Sequence, residues 1–137
     1  MPSGLSPQLI DLLVDNPPPA TNFRSLTLFH HASHRAAEAN PHSAYGIRQD
    51  HYIYAVTGGT SEGGSVEEKE EAEQWANQLY DKIERAGLSM SKGYYSFSRP
   101  EHADAVAYYG QDSVRRLREL KHKYNPGNAL PYALPIL

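Results

Sequence analysis

The sequence predicts an α+β fold: an antiparallel sheet of about four strands, helices packed on one face, and an extended C-terminal arm. Three observations predict it. Short β-rich runs alternate in two-residue steps, two segments repeat apolar residues at three- and four-residue spacing, and the runs fall in the order helix, strands, long helix, strand, helix.

The first helix starts at Ser6-Pro7, with serine able to cap and proline suited to the first turn. Leu9, Ile10, Leu12, Leu13 and Val14 form its apolar side, and Asn16-Pro17-Pro18-Pro19 ends it. Phe23 to His31 reads as a strand with Arg24, Leu26, Leu28 and His30 on one face and Phe23, Ser25, Thr27 and Phe29 on the other. Small and polar residues from Ala32 to Pro41 predict a loop or irregular helical turn, and a short second strand is expected around Ala44 to Arg48. His51 to Thr57 is a third strand, placing Tyr52, Tyr54 and Val56 together and Ile53, Ala55 and Thr57 opposite.

After the loop Gly58 to Gly64, Ser65-Val66-Glu67-Glu68 matches a capping box. Ala72, Trp75, Ala76, Leu79, Tyr80 and Ile83 then make one helical stripe, which Gly87 closes as a left-handed cap. Gly93 to Ser98 is a fourth strand, and Pro100 to Asp104 a loop. Val114, Leu117, Leu120 and Tyr124 line one side of a basic C-terminal helix that Asp112 or Ser113 can cap and Asn125-Pro126 stops. The tail Ala129 to Leu137 is apolar but holds Pro131 and Pro135, so it is expected to lie extended on protein surface.

The 137 residues suit one domain, 1–137. A net charge of −3 with mixed signs favours neither nucleic acid nor an anionic membrane as partner. The chain has no apolar run long enough to span a bilayer and no basic-then-apolar leader, which predicts a soluble cytoplasmic protein. The absence of cysteine excludes disulfides, thiolate metal sites, thiol nucleophiles and a cysteinyl flavin link. Ten tyrosines against three phenylalanines point either to half-buried core phenols or to a pocket lined by them.

Tyr109, Gly110, Arg116, Leu117, Lys121, Tyr124, Pro126 and Asn128 stand in a pattern of Tyr-Gly, a short basic helix and Lys-Tyr-Asn-Pro-x-Asn-x-Leu. This resembles the C-terminal signature of the berberine bridge enzyme-like FAD-linked oxidases. The resemblance extends from about Leu5 to the end through Tyr45, Gly46, Arg48, the strand HYIYAV, Trp75 and an aromatic strand, and implies the second part of that family's substrate domain. On this resemblance the chain is expected to stand without the family's flavin-binding domain. Where the family has a Tyr-x-Asn-Tyr/Phe strand facing flavin and substrate, Tyr94-Tyr95-Ser96-Phe97 stands here, with serine for the amide and phenylalanine for the second phenol.

The expected site follows. Tyr54, His51 and Tyr94 are the candidate catalytic residues, the phenols polarising a carbonyl and the imidazole moving a proton near neutral pH. Tyr52, Arg48, Asp50, Ser96 and His30 are candidates for binding the substrate. His30, His31, His34, His42 and His51 invite a metal reading, but neighbouring strand residues point to opposite faces, so no metal is expected. The Gly58 to Gly64 run lacks Gly-Lys-Ser/Thr and leads into acidic residues, so it is no phosphate loop.

Two functions are carried forward. One is a stand-alone, flavin-free enzyme of natural-product biosynthesis, catalysing a redox-neutral cyclisation, isomerisation or dehydration of an apolar oxygenated small molecule. The other is the substrate-domain fragment or partner subunit of an FAD-linked oxidoreductase, with FAD entering only through a separate flavin-binding partner. Because helices cover one sheet face, Tyr52, Tyr54 and Val56 are expected on the open face, and a homodimer is expected, with the two sheets face to face or the C-terminal arms exchanged.

Overall fold

The computed structural model describes residues 5–19, 24–90 and 104–129, and the elements mix helix and strand as an α+β chain should. The chain divides into two compact units, one from Met1–Ala32 with His51–Met90 and the other from Ser33–Asp50 with Ser91–Leu137. No described helix is long and apolar enough to cross a membrane.

In the first unit, α1 (Pro7–Val14) begins as its sequence dictates, with the Ser6 hydroxyl accepting the Leu9 N–H at 3.2 Å and Pro7 in the first turn. Strands β1 (Leu26–Ala32) and β2 (His51–Thr57) pair antiparallel, Leu26 opposite Thr57 and Ala32 opposite His51. Helix α2 (Val66–Arg85) opens with both bonds of the capping box between Ser65 and Glu68. It closes on Gly87 at φ +64°, with the Leu88 N–H on the Ile83 carbonyl and the Gly87 N–H on that of Glu84, the paired bonds of a Schellman turn.

Leu9, Leu79 and Ile83 form the centre of this unit, and Leu12, Leu13, Phe29, Tyr54, Val56, Trp75 and Leu88 pack around them. The end of α1 is tied to α2 through Asn16: its carbonyl accepts the Trp75 indole N–H at 3.1 Å, and its side-chain oxygen accepts from the Lys82 ammonium.

In the second unit, α3 (Ala105–Tyr109) is capped by Asp104, whose carboxylate accepts the Val106 and Ala107 N–H groups at 2.8 and 3.2 Å. Gly110, at φ +79°, makes the sharp joint into α4 (Gln111–Tyr124). A β-branched or long side chain would be strained there.

Several expectations change. Residues 44–48 form no strand: Gly46 donates to the Tyr108 carbonyl at 3.4 Å and Arg48 folds back on the Tyr45 and Ala36 carbonyls, so the local hydrogen bonds go to loop and helix end instead of a sheet ladder. A short 3₁₀ turn at His34–Ala36 occupies part of the region expected to be loop or irregular turn. Among the described residues the sheet has two strands, and the proposed strand from Gly93 to Ser98 and the arm beyond Ala129 lie outside them. Helix α4 takes no side-chain cap; Asp112 pairs with Arg115 at 3.0 Å instead. Its stripe is buried only at the start: Val114 is 1% exposed while Tyr124 is 71% exposed.

The largest correction concerns the sheet. Phe29, Tyr54 and Val56 pack against α1 and α2, so the face carrying the phenols is the covered one. The physical reason is that Leu79 and Ile83 project from α2 toward the larger side chains, where burial of apolar area is greatest.

Candidate functional site

The cross-strand register assembles the open face. Leu26, Leu28 and His30 on β1 stand opposite Thr57, Ala55 and Ile53 on β2, and Ala32 opposite His51. Leu26 and Leu28 are 48% and 52% exposed, and His30 is exposed too, whereas Ile53 and Ala55 are half-buried and His51 is buried. Neither strand contains Asp, Glu, Lys or Arg, so this surface is apolar with imidazoles toward one end. At the other end Ser25 exchanges hydrogen bonds with Gly59, accepting its N–H at 3.2 Å and donating to its carbonyl at 3.4 Å.

Of the expected site residues, His30 and His51 lie on this face. Tyr54 and Tyr52 lie on the opposite one, because side chains alternate along β2. The Tyr54 hydroxyl donates to Glu84 Oε1 at 3.3 Å, and its pKa is pushed up from 10.0 to about 12. Burial is the main cause; the hydrogen bond with Ser89 opposes it, and the nearby Glu84 carboxylate adds to it. Tyr54 is therefore a protonated donor at neutral pH, held between sheet and helix. The Tyr52 ring stacks on that of His31, centroids 4.4 Å apart and planes at 9°.

Arg48 belongs to the second unit. Its Nε and Nη1 donate to the carbonyls of Tyr45 and Ala36, both at 3.1 Å, and its guanidinium lies 5.5 Å from the Tyr45 ring centroid. These bonds pin the 33–48 loop. Asp50 is exposed and falls in the same unit as Arg48, while His51 falls in the other. Tyr94 and Ser96 lie outside the described residues. Glu84 and Asn16 are the partners that reading the sequence missed; the i, i+4 spacing of Tyr80 and Glu84 on α2 is the signal that would have placed Glu84 over the sheet.

The Tyr54 environment gives a pH prediction. A folded-state pKa above the ordinary 10.0 means that folding favours the neutral phenol, so its contribution is whole below pH 10 and lost as pH rises toward 12. Urea midpoints of the native chain should fall across that window further than those of Tyr54→Phe. Parallel pH profiles for the two proteins would place Tyr54 in solvent.

Among the described residues no group of three or more histidines and carboxylates could hold a metal ion. Among the described residues the loop before α2 is a glycine-rich helix entrance, and there Ser65 and Glu68 already occupy each other's backbone donors. The Glu67 carboxyl is held below its ordinary value, first by a backbone N–H and then by the Ser65 hydroxyl, and Glu70, Glu71 and Glu73 follow. A pyrophosphate would meet carboxylates there. The entrance to α2 therefore does not suit dinucleotide phosphates.

Over 98 residues, 72% of its length, the chain is 30% identical to the FAD-linked oxidoreductase aurO of Gibberella zeae. It spans 18% of that relative. No family model matches the chain, and no solved structure matches it significantly.

Proposed function

We propose that this chain is a substrate-side segment of an FAD-linked oxidoreductase, with the flavin phosphates held by a polypeptide part other than the residues described. The similarity to an FAD-linked oxidoreductase over 98 residues carries this reading. The berberine bridge enzyme-like signature agrees with it and makes the assignment finer, to the C-terminal part of the substrate domain. Several signature residues have structural work that explains their chemistry: Gly110 takes the left-handed joint between α3 and α4, and Asn125 stops α4 while its side chain accepts the Ala129 N–H at 2.7 Å.

In this reading the Leu26, Leu28, Ile53 and Ala55 face is one wall of a chamber for an apolar small molecule, and the flavin-bearing part supplies the other wall. His30, at its edge, offers a hydrogen bond to a substrate oxygen. A flavin-free cyclase, isomerase or lyase using Tyr54 with His51 draws no support from the geometry, because the two side chains leave the sheet on opposite faces. A homodimer would have to close the aliphatic face rather than the phenolic one.

The test is a chimaera in which this chain replaces its matched segment in the Gibberella zeae enzyme. It should carry FAD and bleach anaerobically with that enzyme's own substrate. Leu28→Glu, at a position 52% exposed, should leave folding within about 0.5 kcal/mol and slow bleaching at least about tenfold. Unchanged bleaching would remove the open face from the site. Flavin retained by this chain purified alone would overturn the proposal that other residues hold the phosphates, and a mass of twice 15.3 kDa by light scattering would make a second copy the opposing wall.

A further inference from the structure

We draw no further inference here: the strongest candidate, the basic outer ridge of α4 where Leu120 and Tyr124 stay exposed beside Arg116 and Lys123, carries none because nothing in the structure shows what covers it.

Discussion

Replacing Ile83 by alanine should destabilise the first unit by about 2–5 kcal/mol. Ile83 is fully buried, and with Leu79 and Leu9 it is the point where α1, α2 and the phenol-bearing sheet face converge. Alanine removes three carbons from that point, and the backbone cannot close the gap without breaking other contacts. Ile83 also accepts the Leu88 N–H that locks the end of α2, so its backbone is held while its side chain is lost. Urea denaturation followed by far-UV circular dichroism measures the effect. With a slope of about 1–3 kcal/mol per molar urea, the midpoint should drop by on the order of 1 M or more. Val66→Ala, at a position 64% exposed on the same helix, is the control and should move the midpoint little. Similar shifts for the two variants would mean that α2 does not bury the face assigned to it.

Gly58→Ala should be nearly as damaging, about 1–3 kcal/mol or more, for the opposite reason. A Cβ on Gly58 would sit 2.2 Å from the Ala72 carbonyl oxygen and 2.6 Å from its carbon. Both atoms belong to the backbone of α2, so no rotamer change relieves the clash. Either α2 moves away from the end of β2 or the chain after Thr57 takes another path, and each weakens the packing of Phe29, Tyr54 and Val56 on α2. Gly63→Ala is the useful comparison because nothing lies near its added Cβ, although its φ of +82° carries a strain of its own. The two causes separate by their targets: the Gly58 variant should change the near-UV signal of Trp75 and Tyr54, and the Gly63 variant should not. A Gly58→Ala protein with native stability would show that the approach of β2 to α2 leaves room for a methyl group at position 58.

The parts of this fold that were legible in the sequence are those decided within a few residues. Ser6-Pro7, the Ser65 and Glu68 capping box, and Gly87 closing α2 all formed as read, because a cap needs only a side-chain oxygen or a missing Cβ at one position. The limits of β2 were legible for the same reason: alternating β-formers lie between a charged turn and a glycine pair. Residues 44–48 alternate in the same way, yet Gly46 and Arg48 found hydrogen-bond partners in other segments and no strand partner. The short helix α3 went unread because AVAYY has no polar face to reveal a period, and its signal was the single cap Asp104.

Alternation along β1 and β2 determined by itself which side chains travel together: Leu26 with Leu28 and His30, Tyr52 with Tyr54 and Val56. It could not say which set the helices would cover, because both sets are apolar enough to be buried. Only the tertiary structure decided that, when Leu79 and Ile83 of α2 met Phe29, Tyr54 and Val56 and left the leucines and His30 outward. Periodicity orders neighbours along one segment, whereas the choice of buried face depends on the area that two distant segments remove from water together.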